Sequence, residues 1–369
     1  MGESVRFSID GVEVAGENGE TIMTAARKAG IYIPYLCAHP DLLSESTVGS
    51  RAVIFRGHDE IFGKEGKEFS GCQLCLVEIE GTEGMHRACA TRPEDGMTVR
   101  TDTPELQELR RDNLTKLLVN HPHACLVCPQ REGCSLSHCS SNVPEAERCC
   151  LKFFKCEIRK LGDYIGIREN IPSYVIRSLP VITEEPLFTR DYNLCINCLR
   201  CVRICEDAVG VGALSYTVND GAVIVGTNAP TLKESGCKFC GACVEVCPTG
   251  ALTYKDAKTT PKRTHKLRIS PPIFPPEKWL KLESKTIASV PEIEGVYRLL
   301  DEAKNTIYIA GTMNLRRELE EQLKSNGKAQ FFTFEPDPMY TRRESELLQQ
   351  FLQTHGRLPE QNIAIDDLL

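Results

Sequence analysis

The sequence predicts a multidomain α+β chain, on three observations. The 369 residues hold 19 cysteines against 8 histidines, gathered at short regular spacings between Cys37 and Cys247. The amino terminus alternates apolar and polar residues before a short helical stretch. Beyond residue 255 cysteine stops, and a proline-rich stretch leads into a segment of strand and helix patterns.

Composition narrows the function classes. Hydrophobic residues make up 41%, enough for packed cores. A formal charge of −7 gives no general pull toward nucleic acid or an anionic membrane. No run approaches the roughly 18 apolar residues of a membrane span, and MGESVRFSID lacks the basic-then-apolar build of a signal peptide. We therefore expect a cytoplasmic protein with no membrane insertion and no nucleic-acid partner. In a reducing compartment, closely spaced cysteines are metal ligands or redox centres rather than disulfides. Zinc and iron–sulfur clusters are the candidates, because thiolate is a soft ligand that both prefer.

Residues 1–100 begin with SVRFSIDGVEVA, a hairpin turned at Asp10-Gly11, and a helix over 21–28 ended by Gly30. Cys37 follows, then Cys72 and Cys75 in GCQLCLVEIEG and Cys89 in HRACATRPEDG. This succession resembles a plant-type 2Fe–2S ferredoxin domain, a β-grasp fold. The resemblance implies that Cys37, Cys72, Cys75 and Cys89 hold one 2Fe–2S cluster, and the C-x2-C distance of Cys72 and Cys75 lets one loop grip one iron. A four-cysteine zinc ribbon is the competing reading. The 34 residues between Cys37 and Cys72 exceed the family's usual gap, so 44–70 reads as an inserted loop and a candidate docking element.

Residues 101–180 open with a helix capped by Thr103 and started by Pro104, with Leu106, Leu109, Leu114, Leu117 and Leu118 as its apolar face. It delivers the chain to NHPHACLVCPQREGC, where His121, Cys125, Cys128 and Cys134 are spaced H-x3-C-x2-C-x5-C. One histidine with three cysteines suits zinc or an iron cluster. His123 competes by proximity, but only His121 fits the spacing. Cys139, Cys149, Cys150 and Cys156 follow as a further cysteine group.

Residues 181–255 carry an internal repeat, CINCLRCVRIC and CKFCGACVEVCP, each C-x2-C-x2-C-x3-C. This resembles a two-cluster bacterial ferredoxin, in which the fourth cysteine of each run serves the other cluster. The resemblance implies one 4Fe–4S cluster on Cys195, Cys198, Cys201 and Cys247. A second is implied on Cys237, Cys240, Cys243 and Cys205. Pro248 follows the second run as the pattern expects, whereas Glu206 follows the first; LSYTVNDGAVIV between the runs reads as a hairpin. A basic, proline-rich linker over 256–285 then reaches a small α/β module at 286–369.

The order of these motifs resembles the amino-terminal part of the large iron–sulfur subunit of NADH:quinone oxidoreductase, also found in NAD-linked hydrogenases and formate dehydrogenases. It covers about residues 1–255. The resemblance implies a 4Fe–4S cluster on His121, Cys125, Cys128 and Cys134, making one 2Fe–2S and three 4Fe–4S clusters in all. Neutral imidazole in place of a thiolate removes a negative charge, so this cluster is expected at a higher potential than its neighbours. Cys139, Cys149, Cys150 and Cys156 are extra to the family pattern; they could hold zinc or a further cluster, or stay free thiols.

No G-x-G-x-x-G occurs, and GKEGKE lacks the ending of a Walker A loop. Nor does the catalytic region of those relatives follow the clusters. The expected function is an electron-transfer subunit with no catalytic site of its own. Its expected partners are a flavin-containing NADH-oxidising subunit and a separate catalytic or electron-accepting subunit.

The alternative comes from the last module, which resembles a degenerate GIY-YIG nuclease domain. Gly295-Val296-Tyr297 and Tyr308-Ile309-Ala310 stand at the two signatures, and alanine replaces a glycine of the second. Arg316 or Arg317 and Glu344 or Glu346 would be its arginine and glutamate. An iron–sulfur nuclease is therefore the second function carried forward, and a zinc scaffold the third.

Overall fold

The structure is a computed structural model that describes residues 4–44, 46, 48–66, 69–128, 139, 141–168, 170–255, 269–276 and 279–362. Cys134 and much of the linker lie outside the described residues. Two compact units are present: Met1–Leu126 with Val143–Pro276, and Val127–Asn142 with Glu277–Leu369. Among the described residues no helix is long and apolar enough to cross a membrane.

In the first unit, β1 (Ser4–Ile9) and β2 (Val12–Glu17) pair antiparallel. Asp10 and Gly11 between them take φ of 49° and 79°, the doubly positive turn that matches strand twist. The Thr21 side chain caps α1 (Ile22–Lys28), which buries Ile22, Met23, Ala25 and Ala26 against Phe7, Ile9 and Val14. Residues 44–70 are not a loop. They contain β3 (Val53–Arg56) and β4 (Asp59–Phe62), an antiparallel hairpin. β5 (Leu76–Ile79), β6 (His86–Arg87) and β7 (Thr98–Arg100) complete a five-stranded sheet in the order β2-β1-β7-β5-β6, with β1 and β7 parallel.

Helix α2 (Pro104–Leu118) starts at Thr103 as the sequence predicts, but its buried face is Leu106, Arg110, Leu114 and Leu118. Leu109 and Leu117 are only partly covered. A charged residue can occupy a core position here because Arg110 donates to the carbonyls of Leu74, Leu76 and Thr101 at 3.1, 2.8 and 2.7 Å. Helix α3 (Glu157–Ile165) follows. Next, β8 (Val181–Ile182) and β9 (Phe188–Asp191) lead to the short α4 (Arg200–Arg203).

β10 (Leu214–Asn219) and β11 (Ala222–Thr227) form the hairpin read between the cysteine runs. They join the inserted hairpin in one sheet of order β10-β11-β3-β4. Lys64 N–H donates to Val218 O at 2.8 Å, which ties the end of the insert back to β10. Two glycines permit this approach: a Cβ at Gly226 would lie 2.4 Å from Phe55 O, and one at Gly63 2.7 Å from Val218 O. After α5 (Ala242–Glu245), β12 (Leu252–Tyr254) pairs antiparallel with β9.

The second unit contains β13 (Leu280–Lys281), α6 (Ser284–Ile287), β14 (Gly295–Leu300), β15 (Thr306–Thr312), α7 (Leu315–Ser325), β16 (Phe331–Pro336) and α8 (Tyr340–His355). Its sheet runs β13-β16-β14-β15, all antiparallel. Leu315 and Leu319 of α7 pack on Tyr297, Leu299 and Phe332, while Leu347 of α8 covers Val296 and Ile309.

Candidate metal centres

None of the described cysteines is in a disulfide. Four of them converge beside the amino-terminal sheet. Left-handed backbone at Gly71 and Gln73 (φ 80° and 53°) curls the loop so that Cys72 N–H points at Cys37 Sγ, 3.5 Å away. Leu36 N–H returns the contact to Cys72 Sγ at 3.4 Å, and Cys75 Sγ lies 3.4 Å from Cys89 Sγ. The Cys37 sulfur thus meets Cys72 and Cys89, and the Cys75 sulfur meets Cys89. Thiols of Cys72 and Cys89 donate to Cys37, and Arg203 adds positive charge, so the Cys37 thiol is held well below its usual range. The Arg110 bonds to Leu74 and Leu76 brace this loop from behind. Four sulfurs facing one another, buried or half-buried, are a donor set that fits thiolate-bound iron.

The two cysteine runs fold alike. In the first, Asn197 and Leu199 are left-handed (φ 52° and 60°); in the second, Phe239 and Gly241 are (φ 53° and 82°). Each loop therefore turns an amide onto its first sulfur: Asn197 N–H to Cys195 Sγ at 3.4 Å, and Phe239 N–H to Cys237 Sγ at 3.3 Å. One cavity is lined by Cys195, Cys198, Cys201 and Cys247. Another is lined by Cys205, Cys237, Cys240 and Cys243. Burial raises the Cys195, Cys198, Cys201 and Cys243 thiols and brings Cys237 to about 11. Neutral thiols in apolar cavities are what a soft cation would turn into thiolates, so these residues also fit a metal cluster.

Sequence reasoning missed the cations around the first cavity. Arg200 is fully buried and grips Glu157 through two bonds of 2.9 and 2.8 Å, with a third to Val246 O at 3.2 Å. Arg190 pairs with Glu185 at 2.7 Å. Arg56, from the inserted hairpin, lies over the Tyr192 ring at 4.4 Å and donates to Val225 O at 2.9 Å. A lone arginine within an unexpected hairpin carries no local signal of this role.

His121 is 2% exposed, and among the described residues neither ring nitrogen has a hydrogen-bond partner. Burial lowers its pKa to about 4, which favours a neutral imidazole. His123 differs: its Nδ1 is taken up by the carbonyls of Leu118 and His121 at 2.8 and 2.9 Å. Cys125 is buried, and Cys149 N–H donates to its sulfur at 3.3 Å. Cys128 Sγ lies 3.2 Å from Ser141 Oγ, and both belong to the second unit.

The four extra cysteines fall in different parts of the chain's fold. Cys139 belongs to the second unit and the other three to the first. Cys149 meets Cys125, whereas Cys150 faces Gly250, where an added Cβ would lie 2.4 Å from its sulfur. Cys156 Sγ is 4.0 Å from Pro248 O.

In the second unit the Tyr297 hydroxyl donates to Glu318 Oε1 at 3.2 Å and accepts from Gln322 at 3.1 Å, with the Tyr308 ring 6.0 Å away. Arg316 is bound to Val290 O and Glu292, and the exposed Arg317 lies 3.7 Å from Glu321. Glu346 is engaged by Arg342 and Arg343, and burial raises the pKa of Glu344. The Tyr297 hydroxyl therefore meets the Glu318 carboxylate.

Family models match three stretches of the chain. Residues 2–51 and 56–104 match the family described as 2Fe-2S iron-sulfur cluster binding domain. Residues 185–253 match NADH-quinone oxidoreductase subunit 3, ferredoxin-like domain. An NADH-quinone oxidoreductase subunit of Rhizobium meliloti is 34% identical over 67% of this chain and 24% of its own length. NADP-reducing hydrogenase subunit HndD of Solidesulfovibrio fructosivorans is 31% identical over 67% of this chain and 35% of its own. The amino-terminal two-thirds of the chain is homologous to these subunits. Its fold is the mixed α/β arrangement expected, with ferredoxin-like 2Fe–2S and 4Fe–4S domains. The chain spans only about a quarter to a third of the length of these two relatives. A chain of the NAD+-reducing NiFe hydrogenase, in its H2-reduced state, superposes with a TM-score of 0.49 at 24% identity, over 69% of this chain and 89% of that one. Residues 275–354 match a domain of unknown function, so the nuclease alternative gains no support there.

Proposed function

We propose that the chain is an iron–sulfur electron-transfer subunit of a multi-subunit NAD(P)H-linked oxidoreductase. It relays single electrons between a flavin-containing NADH-oxidising subunit and a separate catalytic or electron-accepting subunit, in the cytoplasm. The observation that carries this is one compact unit holding a four-thiol site and two cavities, each lined by four cysteines. Bound clusters would supply the one-electron chemistry. The protein's own part is to hold the thiolates, keep water out and set the local charge.

In this reading Cys37, Cys72, Cys75 and Cys89 hold a 2Fe–2S cluster. Cys195, Cys198, Cys201 and Cys247 hold one 4Fe–4S cluster, and Cys205, Cys237, Cys240 and Cys243 another. A third is anchored by His121 and Cys125, for which the spacing offers Cys128 and Cys134 as further ligands. The burial of His121, with no partner for its ring nitrogens among the described residues, supports its role.

The test is iron, sulfide and zinc per chain after anaerobic purification. We expect about 14 iron by cluster arithmetic, and co-purification with a flavoprotein from the native host. Zinc in place of most of the iron would sink the electron-transfer reading and leave a structural scaffold.

A further inference from the structure

We propose that Arg203 is a positioning residue of the four-thiol site, and that it raises the potential of the centre held there by bringing a positive charge to Cys37. This rests on the iron–sulfur reading of that site. Arg203 ends α4, two residues after Cys201 and two before Cys205. Its Nη1 donates to the Cys37 carbonyl at 3.2 Å, across 166 positions of chain, and its Nη2 donates to the Leu43 carbonyl. The side chain is half-buried and lines one cavity with Cys37 and Cys89. A cation so placed stabilises a centre that has gained an electron, and partial burial limits its screening by salt.

The internal repeat shows that the loop itself does not require an arginine here. Glu245 stands at the matching place of the second run, between Cys243 and Cys247, where it is exposed and accepts from the Tyr254 hydroxyl at 3.0 Å. Both runs nonetheless make the same left-handed turns. Other cations lining the cavity are engaged away from the sulfurs. Lys28 pairs with Glu17 and Glu20 at 2.9 and 2.6 Å, Arg87 donates to Ser70 O at 2.9 Å, and Arg27 lies over the Tyr35 ring at 4.4 Å. Arg203 instead bonds the backbone of a sulfur-bearing residue, so its charge is fixed beside that sulfur.

The test is an anaerobic dithionite titration of the full chain, with the reduced 2Fe–2S signal followed by EPR, for wild type, R203Q, R203K, L43E and K28Q. One electron passes from dithionite to the oxidised centre, and no bond or proton need move. In R203Q the ratio of reduced to oxidised 2Fe–2S at a fixed potential should fall about tenfold, a shift of about 59 mV for a one-electron couple. The 4Fe–4S centres should shift less. R203K keeps the charge and should recover most of the ratio, while K28Q should match wild type. An unchanged ratio in R203Q, an equal shift at every centre, an R203K as low as R203Q, or a K28Q shift as large as that of R203Q overturns the proposal. L43E covers failure of R203Q to take up iron. It puts a carboxylate on a residue 57% exposed, whose carbonyl Arg203 binds, and should lower the ratio in the same direction. No fall in L43E overturns the proposal. A wild type without a 2Fe–2S signal overturns the cluster reading of the site and this inference with it, whereas a loaded wild type with an indifferent R203Q overturns the inference alone.

Discussion

In residues 195–205 the left-handed conformation falls at Asn197 and Leu199; in residues 237–247 it falls at the matching Phe239 and Gly241. The loops are nearly interchangeable, yet their surroundings are not. The first runs on into a π-helical turn at Ile204–Ala208, while Pro248 closes the second. Arg190 lines the first cavity, with buried Arg56 and Arg200 against Tyr192 and Val246 nearby, whereas Lys238 lines the second. Glu185 and Glu157 match two of those arginines, whereas the contacts of Arg56 among the described residues are Val225 O and the Tyr192 ring. A repeated spacing reproduces a loop because loop geometry is local. The charge around that loop comes from elsewhere in the chain, so similar cysteine runs need not make similar centres.

The sharpest way to break this comparison is to exchange one sulfur. Cys247→Ser should remove about four iron and the EPR signal of the centre containing Cys195, Cys198 and Cys201. Cys205→Ser should remove the other. If each variant instead damaged the centre of its own run, the cavity linings would not be ligand sets. Next in size, Glu157→Gln leaves Arg200 buried without its carboxylate and should cost about 3–5 kcal/mol in denaturant unfolding. A cost under about 1 kcal/mol would mean that Val246 O suffices.

Gly241→Ala probes the loops directly. Its Cβ would lie 2.4 Å from Tyr254 Oη, so we expect about 1–3 kcal/mol of destabilisation, partly relieved by adding Tyr254→Phe. The first run already carries Leu199 at the matching place, 3% exposed, where burial offsets the roughly 1–2 kcal/mol of left-handed strain. No relief from Tyr254→Phe would show that backbone conformation, rather than the hydroxyl, excludes a side chain. The smallest effect should come from Arg56→Gln. Losing this buried cation should lower the midpoint potential of the first centre while leaving the second unchanged, as read by redox titration. An equal shift in both would deny that the asymmetry of charge matters.

Much of the chain was legible because its signals are short-range. The Asp10-Gly11 turn, the caps at Thr21 and Thr103, the hairpin between the cysteine runs and the strands and helices of the last module all follow from neighbouring residues. Distant partners decided what was misread. The apolar face of α2 includes Arg110 because carbonyls of another loop satisfy it, and Leu109 and Leu117 stay partly exposed as a result. The segment 44–70 is a hairpin because β11 offers it an edge, with Gly226 leaving room. Neither Arg316 nor Arg317 serves Tyr297, since the phase of α7 brings Glu318 to it instead.

By itself, then, the sequence determined the cysteine runs and their order, and with them the iron–sulfur character of the first two-thirds. Such spacing is a property of single loops, and loops keep it in any setting. Only the tertiary structure decided which sulfur meets which and what charge stands behind them. Cys75 meets Cys89, and Cys149 meets Cys125. Arg56 reaches Val225 across 169 positions of chain. Those contacts follow from sheet pairing and close packing between remote segments, which no local pattern encodes.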